Sequence, residues 1–320
     1  MKKPRILITL GDFNGIGPEV TLKALQDNAL TEQFVPVIVG AKRILTFYRN
    51  QLNLSVDMGK WEIVDCLEGE SVPIKPGRIS PEAGRASGKF LEKAVEWAKA
   101  GKGDAIVTAP IAKEALWMAG YSQFPGQTEF FAARFGVKRF AMVLIARRFR
   151  VAFVTTHHPI RQVADRITPR KIEDTILAVT GDLKKYFGIA SPRVAVSALN
   201  PHGGEHGRLG DEEETIIRPT LEVLRKKGVA VWGPFPADTL FANVDAKEFD
   251  AYVAMYHDQG MVAIKMYGFG SAVNFTAGLP VPRTSPDHGT AFDIAGRGIA
   301  RAESMKEALR LAVQLAAQKS

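Results

Sequence analysis

Three histidines have the residue type and the placement to form a metal site. The 320-residue chain contains 6 histidines, and none precedes His157. His157, His202 and His257 each follow an apolar, β-rich run, and strands that end in polar loops bring side chains to the carboxyl edge of an α/β sheet. Three imidazoles gathered there can hold a divalent metal and leave positions open for a substrate. The pattern predicts a metal site, with purely hydrogen-bonded structural histidines as the alternative.

His158 and His206 are weaker candidates for metal ligands. In an extended chain His158 would point away from His157, because successive side chains alternate between the two faces. His206 lies in a glycine-rich segment. The spacings are not those of a zinc finger and no HExxH sequence is present, so spacing alone leaves the metal site open.

Composition limits the class of protein. A hydrophobic content of 46% over 320 residues can bury a large core, and two domains are expected. There is no run of 18 apolar residues, and the basic start is followed by too short an apolar run for a signal peptide. The single cysteine, Cys66, indicates a reducing cytoplasm. The net charge of +8 is scattered, which favours anionic small molecules over nucleic acid. We therefore expect a cytoplasmic protein that binds neither membranes nor nucleic acid.

Apolar runs alternate with amphipathic segments along most of the chain. RILITL, VPVIVG and DAIVTAP predict strands, while Ser80 and Thr168 each precede a proline and predict the caps of long helices. FAMVLIA and FRVAFVTT, separated by Arg147 and Arg148, predict an antiparallel pair. Further helices are predicted at about 211–227 and 302–318. The pattern indicates an α/β protein with a mostly parallel sheet.

Glycine-rich loops interrupt this alternation. GDFNGIGPEV at 11–20 turns from a strand into a helix and could offer backbone N–H groups to an anion, although a simple tight turn is the alternative. FPGQTEF places Thr128 at a predicted helix N-cap. The long segment at 278–298 carries Arg283 and His288 among many glycines and prolines, which is typical of a shaped binding loop.

Several motifs, in one consistent order, resemble those of the 4-hydroxythreonine-4-phosphate dehydrogenase family. They are GIGPE, TAPIAKEAL, GQTEF, TTH, NPHGGE, GPFPADTLF, MYHDQG, VNFTAGLPVPRTS and DHGTAFDIAGRG, and they cover essentially the whole chain. The resemblance implies an NAD-dependent enzyme of pyridoxal phosphate biosynthesis. Such an enzyme oxidises 4-phosphohydroxy-L-threonine at C3, and decarboxylation then gives 3-amino-2-oxopropyl phosphate.

The resemblance also implies the fold and the assembly. The family shares the fold of isocitrate and isopropylmalate dehydrogenases, with two α/β domains and a cleft between them. Residues 1–125 and 275–320 would form the domain that carries the NAD-binding loop. Residues 126–274 would form the domain that carries the metal site and the dimer interface. We expect a homodimer whose subunits share the metal site.

Site residues are implied where motifs match. The implied metal ligands are His157, His202 and His257, with zinc as the metal and magnesium or cobalt as alternatives. The implied catalytic carboxylates are Asp238 and Asp258. The implied contacts to a phosphorylated small-molecule substrate are Gln127, Thr128, Lys265, Asn274 and Arg283. The implied NAD contacts are His288, Gly289, Thr290 and Asp293. Lysine and arginine would supply charge for the phosphate, while asparagine and threonine would supply oriented hydrogen bonds.

One position departs from the family pattern. The family usually has GHTEF, and this chain has Gln127 in place of the histidine. A glutamine can donate an N–H to an oxygen but cannot carry charge or relay a proton. Alternative substrates therefore stay open: a 4-phosphorylated threonate or erythronate, or an aromatic cis-dihydrodiol. A zinc-dependent aldolase is the alternative from another enzyme class, and a non-catalytic protein that binds metal and phosphate is a third.

Overall fold

The computed structural model describes residues 2–242, 244–246, 248–268 and 270–318, in which strands alternate with helices. The strands are β1 (Arg5–Thr9), β2 (Val35–Gly40), β3 (Glu62–Asp65), β4 (Ala105–Thr108), β5 (Ala141–Ala146), β6 (Phe149–Phe153), β7 (Val194–Ser197), β8 (Val231–Phe235), β9 (Ala251–Ala254), β10 (Val273–Ala277) and β11 (Arg283–Pro286). The helices are α1 (Gly17–Leu25), α2 (Asn28–Thr31), α3 (Lys42–Gln51), α4 (Pro81–Lys99), α5 (Lys113–Leu116), α6 (Gln127–Phe135), α7 (Val163–Arg166), α8 (Pro169–Phe187), α9 (Arg218–Lys226), α10 (Ala237–Phe241), α11 (His257–Gly268) and α12 (Glu303–Ala317). The predicted α/β class is confirmed.

The chain divides into two compact units. Unit 1 comprises residues 1–136 and 279–320, and unit 2 comprises residues 137–278. The chain passes from one unit to the other after residues 136 and 278. The expected domain boundaries were after residues 125 and 274, so both boundaries lie later in the sequence. The first is later because α6 belongs to unit 1, where Phe130 packs against Phe124 and Tyr121. The second is later because β10 pairs antiparallel with β5 through Ala277.

Unit 1 is built on a parallel sheet in the strand order β3-β2-β1-β4-β11. The runs ILI in β1 and VIV in β2 are fully buried, as expected for parallel strands that are covered on both faces. Helix α4 starts where the sequence predicts: the Ser80 hydroxyl accepts the N–H of Ala83 and Pro81 is the first residue.

Unit 2 contains a mixed sheet in the order β10-β5-β6-β9-β7-β8. The predicted hairpin of β5 and β6 is confirmed, and Arg147 adopts a left-handed φ of 52° in its two-residue turn. Strands β6, β9, β7 and β8 run parallel to one another. Helix α8 begins as predicted, with the Thr168 hydroxyl accepting the N–H of Lys171.

Two local predictions need correction. Thr128 is not an N-cap: α6 begins at Gln127, and Gly126 occupies the cap position without a side-chain bond. The helix expected at 211–227 begins as a π-helical turn over Glu213–Ile217 and continues as α9. Among the described residues, no helix is both long enough and apolar enough to cross a membrane.

Candidate active site

The strands that precede the three candidate metal ligands are neighbours in unit 2. Strand β9 lies between β6 and β7 and is parallel to both, with Phe153 opposite Ala254 and Val196 opposite Val253. Their carboxyl ends therefore lie at one edge of the sheet. His157, His202 and His257 follow β6, β7 and β9 respectively. The three strands therefore end at the same edge of the sheet, as the sequence predicts.

His157 and His257 come together at this edge. Their ring centroids are 5.7 Å apart with the planes tilted by 42°, and the His257 ring also stacks on Phe153 at 6.1 Å. They line a hollow of about 200 Å³ together with Thr156, His158, Ile160, Val163, Tyr256 and Asp258. His158 thus shares the hollow with His157, because the chain bends after β6 and does not remain extended.

Asp258 is placed to orient the His257 ring. Its Oδ1 lies 2.6 Å from Nδ1 of His257. An imidazole that donates its Nδ1 proton to this carboxylate keeps the Nε2 lone pair for a metal. The Asp258 side chain is 80% exposed, so this contact orients the ring more than it stabilises the fold.

His202 lies in an exposed loop with unusual backbone geometry. Its φ is 53°, and the following residues through Gly207 also have left-handed φ values. Within the parts of the chain that the structure describes, no three His, Cys, Asp or Glu side chains are grouped closely enough to hold a metal. A single chain therefore brings His157 and His257 together without completing a three-ligand group.

Gln259, which the sequence reasoning did not single out, ties two of these strand ends together. Its Oε1 accepts the N–H of Met255 after β9 at 2.7 Å, and its Nε2 donates to the carbonyl of Ala198 after β7 at 2.8 Å. The MYHDQG motif could have indicated this role, because Gln259 follows His257 in the first turn of a helix, from which a polar side chain can reach the backbone of nearby strand ends.

The other predicted residues of unit 2 are spread over nearby elements. Asp238 lies in the first turn of α10 and lines a cavity of about 550 Å³ beside α11, which shares Tyr256 with the hollow of His157 and His257. Lys265 is exposed on α11. Asn274 lies on β10, and its Oδ1 is buried without a hydrogen-bond partner among the described residues.

Arg283 forms the centre of a polar cluster in unit 1. It is only 1% exposed, and its Nη2 donates to the Thr108 hydroxyl and, at 2.9 Å, to Oε1 of Gln127. Its guanidinium lies 5.4 Å from the centroid of the Phe131 ring. Burial lowers the pKa of Arg283 to about 9, with Glu129 opposing the shift, so the group stays charged at neutral pH.

Gln127 and Thr128 begin helix α6 beside this arginine. The Gln127 amide oxygen accepts from Arg283, and its Nε2 donates to the carbonyl of Ala109 at 3.4 Å. Thr128 is buried in the first turn, where backbone N–H groups favour an anion. The structure therefore places Arg283 against Gln127, with Thr128 next to Gln127 in the first turn of α6.

The predicted NAD loop packs against the GDFNGIG loop, also within unit 1. The N–H of Ile16 donates to the carbonyl of Thr290 at 2.9 Å, and a Cβ on Gly15 would lie 2.9 Å from the Thr290 side chain. Nδ1 of His288 lies 3.0 Å from the carbonyl oxygen of Gly289, while its Nε2 is buried without a partner among the described residues. Asp293 is exposed.

Asp12 is a second residue that the sequence reasoning missed. Its side chain is fully buried in the same loop, and its Oδ1 accepts the N–H of Asn14 at 2.9 Å. Burial raises the pKa of Asp12 to about 6, against the lowering effect of hydrogen bonds from Asn14 and Gly15. Strand periodicity alone could not distinguish this carboxyl from an exposed turn residue.

The fold and these clusters define an α/β protein with a histidine-rich sheet edge in one unit and an arginine-centred polar cluster in the other. The chain belongs to the family described as pyridoxal phosphate biosynthetic protein PdxA, whose model matches residues 24–312. This result confirms the family resemblance found in the sequence.

Individual relatives are similar over nearly their whole length. A 4-hydroxythreonine-4-phosphate dehydrogenase of Bacteroides thetaiotaomicron is 40% identical over 325 residues, covering 98% of this chain and 89% of the relative. A protein of Oceanobacillus iheyensis, provisionally named D-threonate 4-phosphate dehydrogenase, is 41% identical and is covered to 99%, as is this chain. The crystal structure of 4-hydroxythreonine-4-phosphate dehydrogenase from Klebsiella pneumoniae superposes with a TM-score of 0.87 at 38% identity, covering 98% of this chain and 99% of that one.

Proposed function

We propose that this protein is an NAD- and metal-dependent dehydrogenase that oxidises the C3 hydroxyl of 4-phosphohydroxy-L-threonine. The β-keto acid so formed loses carbon dioxide and gives 3-amino-2-oxopropyl phosphate. Family membership and the names of the relatives support a dehydrogenase over the aldolase alternative. The observation that carries the proposal is the pairing of His157 with His257 at the carboxyl ends of adjacent parallel strands.

The donor set fits a divalent metal. Imidazole nitrogens suit zinc and cobalt, and a carboxylate on the second ring nitrogen, as Asp258 provides for His257, is the usual support of a metal-bound histidine. His157, His202 and His257 would hold the metal, with ligands from both subunits of a homodimer. Large apolar side chains of unit 2 support such an assembly, since Ile160, Val262 and Met266 are 72%, 58% and 82% exposed.

The loops of unit 1 fit a dinucleotide. The unpartnered, buried Nε2 of His288 needs a hydrogen-bond partner, and a bound adenine or ribose can supply one. His288, Gly289, Thr290 and Asp293 would hold NAD. The bound groups supply two kinds of chemistry: NAD accepts a hydride, and the metal lowers the pKa of a coordinated hydroxyl.

The chain's own residues would bind and orient the substrate. Arg283 and Thr128 would engage the phosphate, because the buried guanidinium is charged and the first turn of α6 favours an anion. Lys265 is the further phosphate contact that the family resemblance implies. The unpartnered Oδ1 of Asn274 would accept a substrate N–H or O–H. Asp258 would keep the His257 ring in one orientation, and Asp258 or a water is the candidate acceptor for the hydroxyl proton.

A 4-phosphorylated threonate is the second candidate substrate. Gln127, where the family usually has histidine, and the name of the Oceanobacillus relative favour it. NADH formation should be followed with both substrates, in metal-loaded and chelator-treated enzyme. Faster metal-dependent NADH formation with 4-phosphohydroxy-L-threonine supports the first proposal, a higher rate with the threonate supports the second, and no NADH from either contradicts both.

The shared metal site has its own test. Single variants His157→Ala, His202→Ala and His257→Ala should each be inactive, and they should be mixed in pairs under subunit exchange. Suppose that the two substituted histidines reach a metal site from different subunits. A mixed dimer of those two variants then contains one site with all its ligands intact and regains part of the activity. Failure of every pairing, with exchange confirmed, would contradict a shared site.

A further inference from the structure

Glu213 is a buried carboxylate whose hydrogen bonds all lead to the loop that carries His202. It is fully buried at the start of the π-helical turn that precedes α9. Its Oε1 accepts the backbone N–H groups of Leu199 and Asn200, at 2.7 and 2.9 Å. Its Oε2 accepts Nδ2 of Asn200 at 2.9 Å. These donors lie on the segment between β7 and His202.

The backbone of the loop needs such a support. His202, Glu205 and His206 have φ values of 53°, 45° and 56°, a left-handed conformation that is unfavourable for residues with a Cβ. Runs of this kind persist only where the surrounding structure holds them, and they cluster at functional sites. Gly204 lies against the same carboxylate, because a Cβ there would be 2.7 Å from Oε2 of Glu213.

We propose that Glu213 is a positioning residue for His202. By holding Leu199 and Asn200, the carboxylate fixes the start of the loop and presents the imidazole in one orientation at the end of β7. A ligand that is already ordered loses less conformational entropy when the metal binds. This inference rests on the proposed metal site, and it assigns a role to a residue that neither binds the metal nor touches the substrate.

The test compares cobalt binding and amide exchange in full-length variants. Glu213→Ala removes all three acceptor bonds, whereas Glu213→Gln keeps one oxygen for the backbone N–H groups of Leu199 and Asn200. Glu214→Ala is the matched control, since Glu214 is the next residue and pairs at the surface with Arg218. The test would measure cobalt(II) affinity by visible absorption. It would also measure hydrogen exchange of the 199–200 amides in the metal-free protein.

Glu213→Ala should weaken cobalt binding about ten- to a hundred-fold, the usual effect of removing a group that orients a metal ligand. Its 199–200 amides should exchange faster, Glu213→Gln should recover most of both losses, and Glu214→Ala should match the wild type. If Glu213→Ala does not fold, Glu213→Asp decides, because its carboxylate is one methylene shorter and cannot keep the 2.7 Å bond to Leu199 without a shift, so weaker cobalt binding is expected. Wild-type cobalt affinity in a folded Glu213→Ala, or in a Glu213→Asp variant whose 199–200 amides exchange faster, would overturn the inference alone. A wild-type protein that takes up no cobalt would overturn the proposed metal site as well.

Discussion

Unit 1 encloses its principal charged group, whereas unit 2 leaves its candidate metal ligands at the surface. Arg283 is buried and bonded to Thr108 and Gln127 within one unit. His157 and His202 are exposed, and no group of three metal-binding side chains is present among the described residues. One site is therefore organised within the chain before any ligand binds, and the other is only partly assembled.

The difference agrees with what each group is proposed to bind. A guanidinium that is held in place by internal hydrogen bonds can meet a phosphate with little loss of entropy. Metal ligands must keep their lone pairs free, and a site shared by two subunits must stay open at the subunit surface. Substitutions of the proposed metal ligands should therefore abolish activity, while substitutions around Arg283 should reduce it only in part.

The largest effect is expected at the histidines. His202→Ala should lower turnover by about three orders of magnitude or more, because metal polarisation contributes several kcal/mol to the transition state. Bound zinc should fall with it, while the circular dichroism spectrum stays unchanged. The control is His206→Ala in the same exposed loop. A metal-free His202→Ala protein with wild-type activity would show that the histidine edge is structural.

A smaller, graded loss is expected at Arg283. Arg283→Met should lower kcat/KM for a phosphorylated substrate by roughly ten- to a hundred-fold, since a charge-assisted hydrogen bond contributes about 1.5–3 kcal/mol. Arg283→Lys should recover little, because an ammonium cannot reproduce a planar guanidinium. Arg134→Met is the control, as that arginine pairs with the half-exposed Glu92 in the same unit. Equal kinetic losses in the Arg283 and Arg134 variants would remove Arg283 from the phosphate site.

Sequence patterns predicted the regular elements well for physical reasons. The Ser80 and Thr168 caps act through bonds to residues three positions later, and buried parallel strands appear as continuous apolar runs. The strand ends that carry the histidines could be inferred in the same way. Local spacing therefore contained most of the information for these elements.

The sequence could not reveal the contacts that hold the site together. The bonds of Gln259 to Ala198 and of Glu213 to Leu199 link segments whose distance depends on the finished fold. Thr128 lies two positions after the actual N-cap, because Gly126 can cap a helix through its backbone alone. Chemistry that depends on tertiary contacts therefore needed the structure.

A modest effect is expected at Gln127. Because its Oε1 accepts from Arg283, an uncharged His at this position can keep that bond through one ring nitrogen. Gln127→His should change kcat/KM for 4-phosphohydroxy-L-threonine only by about the value of one hydrogen bond, roughly two- to ten-fold. Steady-state kinetics on this substrate and on the phosphorylated threonate measure it. A reversal of preference in the variant would show that Gln127 sets substrate choice.

Each unit also contains a buried aspartate whose pKa is raised. In unit 2, Asp182 accepts the N–H of Gly278 at 2.8 Å, and burial raises its pKa to about 7 against the opposing effects of Gly278 and Lys185. In unit 1, burial raises the pKa of Asp12 to about 6. A raised pKa means that the folded protein holds a proton that the unfolded chain releases. Each carboxyl therefore stabilises the fold below its unfolded pKa, and this contribution is lost as the pH rises through the folded value.

Asparagine keeps an acceptor oxygen without the charge, so Asp182→Asn should lose less stability than the wild type between about pH 4 and pH 8. The difference should reach at most ~4 kcal/mol, from a pKa displacement of about three units. Asp12→Asn should also lose less stability than the wild type as the pH rises, but the difference should be smaller because the pKa of Asp12 is raised less. Unfolding midpoints across this pH range measure both.

Only Asp12→Asn, whose loop contacts Thr290, should also raise the KM for NAD. An unchanged pH profile in Asp182→Asn would show that its carboxyl is already solvated in the folded protein, and an equal rise in KM for both variants would break the distinction between the two units.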